Sequence, residues 1–282
     1  MRKVFLICLW LCSVVIYSQK KEYQDGVYFT PVLEVAVTEG NYSGDIKIPN
    51  SVDIDGVQYR VTEIGEYAFR GSGITSIELP GTIKRIRQYG LAGCNFKSLK
   101  IPSMIQEIET YALLTPTLEW IEVDENNKLF SSVGGVLFDK SMSTLIHLPA
   151  SLQKDVYVVP EDVVNIKTGA IFETFLQRIE LPETIESIGS WNFSEIPNLH
   201  TIVVKAEVPP MAHNCFGSHD AIVYVPSGSI AAYEADEDWG KFTIRSLDEL
   251  TPVNAVSVSK RKDGKKYNIH GIEVQDPHGI YI

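Results

Sequence analysis

The chain is poor in cysteine: it has four in 282 residues, and Cys8 and Cys12 fall within the first twelve. Beyond them stand only Cys94 and Cys215, 121 residues apart, which argues against a disulfide framework and reads as two buried free thiols. Bases are scarce as well, 25 against 36 acids, for a formal net charge of −11. A surface of that sign repels a phosphate backbone, so no nucleic-acid partner is expected. Apolar runs of membrane length are missing, since the run from Val4 to Tyr17 falls short of the ~20 residues a spanning helix needs. Chemistry-bearing patterns are missing too. His147, His200, His213, His219, His270 and His278 show no HExxH or paired-ligand spacing. Neither a Gly-rich phosphate loop nor a GxSxG elbow is present. The expectation is no catalytic residue, no metal and no cofactor.

What is there begins with MRKVFLICLWLCSVVIYSQ, two basic residues followed by the short apolar run. Residues 1–18 read as a secretory signal peptide, cleaved after Ser18 to leave a chain that does not span the membrane. Bulky Ile7 and Leu11 precede the two early cysteines, where a lipoprotein signal takes a small residue. Export without disulfides fits a bacterium.

The informative feature is a repeat. Apolar-x-x-apolar-x-apolar occurs at Ile74/Ile77/Leu79, Phe96/Leu99/Ile101, Leu118/Ile121/Val123, Leu176/Ile179/Leu181 and Leu199/Ile202/Val204. A nine-residue motif runs between the copies (VTEIGEYAF, IKRIRQYGL, IQEIETYAL, VVNIKTGAI, IESIGSWNF), and its central Ile64, Ile86, Ile108, Ile166 and Ile188 are 22, 22, 58 and 22 apart. Two motifs holding one period predict a leucine-rich solenoid: β-rich coils of about 22 residues whose short parallel strands stack. One coil cannot bury its apolar face alone, so the spacing is a packing requirement. Pro80, Pro102 and Pro182 follow the strands and turn the chain. Small residues at Ala68, Gly90, Ala112 and Ala170 let the returning segment come close, and Asn192 breaks that column.

The 58-residue gap holds a weak copy ending at YVVP (157–160) and an insert of about 14 residues. Residues 129–149 alternate around a polar turn at 139–141, which predicts a β-hairpin projecting from the solenoid. The domain plan is therefore a signal peptide (1–18), an N-terminal β cap (19–60), the solenoid (61–250) and a linker with a short β-rich tail (251–282). Within the solenoid, residues 223–250 form a closing segment with a short helix, capped by Ser227 or Ser229, over which Tyr233 and Trp239 close.

With its IxLP strands at 77–80 and 179–182, the IxxIGxxAF block, Cys94 after AG, GGVLFDK and VPSGSIAAY…W, the chain resembles the BspA-type leucine-rich repeat family of bacterial surface and secreted proteins. That resemblance implies adhesion to host proteins, other bacteria or surfaces, with no catalytic residue among those shared. The tail KYNIHGIEVQDPHGIYI looks like the start of a Por-type C-terminal sorting domain without its Gly-Lys-Lys-rich final strand. It implies either a shortened sorting domain or a surface strand pair.

Two acidic runs, at 124–127 and 236–238, do not match an EF-hand loop and read as acidic loop surface. Arg85 and Arg87 flank Ile86, and Glu107 and Glu109 flank Ile108, as on a solvated coil edge; no cleft is implied on which two acids could converge. The outward strand positions Lys47, Glu78, Lys100, Glu122 and Glu180 alternate in charge and turn apolar at Val203, as on an ordinary soluble face.

One column stands out. The position before the small residue holds Tyr67, Tyr89, Tyr111, Gly169 and Trp191. Stacked at coil spacing, the tyrosines form a strip about 10 Å long, with Gly169 as a gap before Trp191. Aromatics anchor interfaces, and flat sugars also suit such a strip. Mere stacking that stiffens adjacent coils is the competing explanation. Tyr67, Tyr89, Tyr111 and Trp191 are the candidate binding residues of a non-enzymatic, exported or cell-surface protein. Its expected partner is an extracellular protein of a host matrix or another cell. A glycan ligand and a purely structural envelope role are the alternatives.

Overall fold

A computed structural model describes residues 34–250, together with the two-residue strands Ile16–Tyr17, Tyr23–Gln24 and Val27–Tyr28. The expected signal peptide, the first part of the N-terminal cap and the tail at 251–282 otherwise lie outside the described residues.

Each coil supplies two strands to two ladders. The apolar-x-apolar segments form the longer one, all in parallel register. Ser43–Lys47 pairs with Gly73–Glu78, and Ser98–Ile101 with Trp120–Val123. Val156–Val158, Arg178–Leu181, Thr201–Val204, Ile222–Val225 and Thr243–Ser246 form one five-stranded sheet. Leu99 and Ile101, 1% and 0% exposed, point inward while Ser98 and Lys100 face out, as a period of two requires. Register places Leu99 opposite Ile121, and Ile179 between Tyr157 and Ile202, so each column is continuous within its sheet. At about 1.5–3 kcal/mol per buried side chain, stacking is what stabilises the coil. The Pro80, Pro102, Pro160 and Pro182 carbonyls each accept the N–H three residues on, so proline ends the strand in a tight turn.

The nine-residue motif forms the second ladder. Val57–Ile64, Arg85–Ile86 and Glu107–Ile108 pair in parallel, as do Thr144–His147, Asn165–Ile166 and Ser187–Ile188. Their central isoleucines are at most 4% exposed. Asn192, which breaks the small-residue column, is fully buried. Its amide donates to the Lys167 and Gly189 carbonyls and accepts from the Ile171 N–H, so it replaces packing with three hydrogen bonds.

The insert does not project. Phe130–Val133, Val136–Asp139 and Thr144–His147 form an antiparallel meander whose last strand joins the second ladder. The described core falls into an N-terminal and a C-terminal cluster, and the meander touches both. Leu137 and Ile146 belong to the first; Val136, Phe138 and Leu145 belong to the second. An alternating strand buried on both faces sits between two cores, where a projecting hairpin would show one face to water.

At the front, Glu34–Val37 and Ser43–Lys47 stack in parallel on Val57–Ile64 and Gly73–Glu78 as a first coil inside the expected cap, and the Ser51–Ile54 and Val57–Ile64 hairpin runs across the expected cap boundary at residue 60. At the back, Tyr233 and Trp239 are fully buried and donate to the Ala206 and Pro210 carbonyls. The helix Ile230–Ala235, which carries Tyr233, forms, but neither Ser227 nor Ser229 caps it through its side chain; a 3-10 turn, Ser227–Ser229, leads in instead. Cys94 and Cys215 are buried free thiols, and burial raises the pKa of both.

Candidate binding edge

The aromatic column coincides with a backbone column. Tyr67, Tyr89, Tyr111, Gly169, Trp191 and Asn214 have φ of 56°, 55°, 63°, 64°, 65° and 54°, all left-handed. Each marks the turn leaving the second ladder. The turns are locked coil to coil: the Tyr67 N–H donates to the Gln88 carbonyl, Gly169 to Ser190 and Trp191 to Asn214. Glycine and asparagine take this conformation readily, whereas other residues lose about 1–2 kcal/mol in it. Four aromatic residues therefore stand where the backbone favours Gly or Asn.

The tyrosines stack. Tyr67–Tyr89 and Tyr89–Tyr111 ring centroids are both 5.3 Å apart, with interplanar angles of 9° and 16°. Arg70 lies 5.3 Å and 5.1 Å from the first two centroids. Gly169 is not a simple gap: a Cβ there would lie 2.4 Å from Tyr111 Cε1, so its missing side chain makes room for the Tyr111 ring. Burial, with Tyr89 alongside, raises the Tyr111 pKa. Trp191 differs. It is 55% exposed, and no ring or cation stacks on it among the described residues. The structure thus joins three of the four candidates in one half-buried stack and leaves Trp191 beyond Gly169 on its own.

Beside this column runs a charge ladder. Arg87 bonds Glu63 at 3.0 Å and Glu109 at 2.7 Å, and Arg85 approaches Glu63 and Glu107 at 3.4 Å and 3.6 Å. Burial alone would raise the Glu109 pKa, but hydrogen bonds from Arg87 and the Gln88 N–H hold it below the usual range. Lys167 is lowered by burial, with Glu107 and Glu109 opposing, and donates to the Ile108 carbonyl at 2.6 Å. The charges flanking each isoleucine pair across coils instead of standing singly in solvent. On the longer ladder, Lys47–Glu78 and Lys100–Glu122 pair in the same way at 2.7 Å and 3.2 Å.

A family model of the BspA-type leucine-rich repeat region matches in six copies, over residues 47–155 and 155–229. The chain belongs to the BspA-type leucine-rich repeat family. Among solved structures it is similar to a leucine-rich repeat protein from Eubacterium ventriosum (19% identity, 73% of this chain and 72% of that one, TM-score 0.46). It is also similar to a leucine-rich cell surface protein from Faecalibacterium prausnitzii (14%, 82% and 94%, 0.46) and a leucine-rich repeat protein from Bacteroides ovatus (18%, 83% and 75%, 0.37). No curated protein matches in sequence.

On this BspA-type frame three features escape a reading of the repeat. Asn127, in an acidic run assigned to loop surface, is fully buried. It donates to the Pro102 and Ile105 carbonyls and accepts from the Leu129 and Phe130 N–H groups, anchoring the insert to the preceding coil. In the other acidic run Asp236 accepts from the Asp238 and Trp239 N–H groups and builds a turn. Finally, a groove of about 910 Å3 opens beside the five-stranded sheet, lined by Glu180, Val203 and Lys205 among others, where no cleft was implied. The signal for it was the outward column turning from charge to Val203.

Proposed function

We propose that this protein is an exported, non-enzymatic binding scaffold whose aromatic edge, Tyr67, Tyr89, Tyr111 and Trp191, engages an extracellular protein. The observation that carries the reading is Trp191: a large ring held on a left-handed turn, more than half exposed, with no stacking contact among the described residues to offset the backbone. Strain retained without a local partner points to use. A tryptophan on a rigid turn also binds at little entropic expense, since only two side-chain torsions are fixed. The pattern of residues 1–18 supports export.

The test is binding of the purified protein to arrays of extracellular-matrix proteins and glycans. Alongside it runs the Tyr67/Tyr89/Tyr111/Trp191→Ala variant, first checked by circular dichroism. Saturable protein binding that the folded variant loses supports the edge as the site. Binding that survives returns these residues to the scaffold. Binding to glycans alone replaces the protein partner by a sugar, and no binding by either protein favours a structural envelope role.

A further inference from the structure

The aromatic edge changes character at Gly169, and part of the change is in what sits on its rings. On the tyrosine stack a cation is built in: Arg70, three residues past Tyr67, places its guanidinium 5.3 Å and 5.1 Å from the Tyr67 and Tyr89 ring centroids. The same place in the coil of Trp191 is held by Ser194, which is buried. Indole is the side-chain ring that attracts a cation most strongly. That of Trp191 is 55% exposed and carries no cation among the described residues.

The balance of charge shifts as well. Residues 156–250 hold 15 acids and 5 bases, whereas residues 34–155 hold 16 acids and 11 bases. All five bases of the later half are engaged. Arg178 meets Glu180 at 2.7 Å, Lys205 meets Glu161 at 2.7 Å, Lys241 meets Asp238 at 3.3 Å and Arg245 meets Glu249 at 3.9 Å. Lys167 donates to the Ile108 carbonyl at 2.6 Å. Four residues past Tyr67, Tyr89, Gly169 and Trp191 comes a second left-handed turn, at Gly71, Gly93, Glu173 and Glu195, with φ of 65°, 68°, 55° and 55°. Both glutamates are exposed and have no ion-pair partner among the described residues. They follow Gly169 and Trp191 in adjacent coils, about 4.8 Å apart, on the half of the edge that has an open indole and no spare base.

Resting on the reading of this edge as the binding site, we infer that its C-terminal half receives an arginine side chain from a basic segment of the partner protein. The guanidinium stacks on Trp191, as that of Arg70 lies over Tyr67 and Tyr89, and its fork of N–H groups meets the Glu173 and Glu195 carboxylates. Lysine suits the arrangement less, since an ammonium has no plane to stack and no fork to bridge two carboxylates. A neutral sugar would cover the indole and leave both carboxylates unused.

The test labels the purified protein with 5-fluorotryptophan and titrates it with the peptide acetyl-Arg-Gly-Arg-Gly-Arg-amide, read by fluorine resonance, with Trp191→Asn identifying the Trp191 signal. The expected result is a saturable shift at Trp191 and none at Trp120, which is 49% exposed but is paired with Ser98, between Lys97 and Lys100. The same peptide with citrulline for arginine keeps the shape without the charge and should shift neither signal. Glu173→Gln/Glu195→Gln changes only exposed side chains and should raise the Kd at least about twofold, as the loss of two exposed ion pairs requires. Absence of a shift, equal shifts at Trp191 and Trp120, a shift from the citrulline peptide, or an unchanged Kd in the glutamine variant would each overturn the proposal. Should an extracellular protein still bind through the aromatic edge in that case, the edge stands as the site and the arginine alone is refuted.

Discussion

At the scale of single residues, the edge column shows how a preference of the backbone can be set against a preference of the side chain. The left-handed turn disfavours Tyr67, Tyr89, Tyr111 and Trp191 by about 1–2 kcal/mol each. Each stacked aromatic contact returns about 0.5–1.5 kcal/mol, and Tyr89 has two, with Arg70 beside it. Trp191 has none among the described residues. Replacing each by asparagine relieves the same backbone and isolates that difference. Urea unfolding should therefore show Tyr89→Asn less stable than Trp191→Asn by about 1–3 kcal/mol. Equal losses, or the reverse order, would put Trp191 back among the structural residues. The column of aromatics was legible in the sequence, but the sign of φ was not read from it. Gly169 and Asn214 carried that information, because they are the residue types a left-handed turn favours.

The insert matters most at the scale of elements. Sequence alternation located its strands, and the Gly134–Gly135 and Asp139 turns bound them. What alternation cannot show is that both faces are buried, because a strand between two cores and a strand with one wet face begin from the same period. VLF at 136–138 was the available sign, three consecutive apolar residues where a projecting hairpin would keep a polar one. The parallel ladders, in contrast, were fully legible, since each apolar column repeats five times and any shift would expose all of it. Because Leu137 packs in one cluster and Phe138 in the other, the meander should transmit instability in both directions. Leu137→Ala should cost about 2–5 kcal/mol and Phe138→Ala about 3–5 kcal/mol. Hydrogen exchange should then quicken at Ile108 and at Ile166 in both variants. Unchanged protection at these two positions would mean that the insert is an appendage after all.

For the whole molecule, the two core clusters meet at a seam where the insert, Lys167 and the Tyr111 turn come together. His147 lines this seam; it is 6% exposed, and its Nε2 is buried without a hydrogen-bond partner among the described residues. Burial, helped by the Lys167 charge, depresses its pKa from near 6.5 to about 4. Below about pH 6.5 the unfolded chain therefore takes a proton that the folded chain refuses until about pH 4. His147 adds nothing to the pH dependence above neutrality. Between those limits stability falls as pH falls, by about 3 kcal/mol in all, and the loss levels off once both forms are protonated. A solenoid's stability is close to a sum of coil and interface terms, so a penalty at one interface should weaken the joint between the two halves before either half. Unfolding of wild type and His147→Leu at pH 7 and pH 4.5 separates this from the general effect of acid on 36 carboxylates. The variant should lose about 2–3 kcal/mol less than wild type over that interval, with the saving seen as retained exchange protection at Ile108 and Ile166. Parallel pH curves for the two proteins would show that the seam is already wet and that His147 titrates as it would in water.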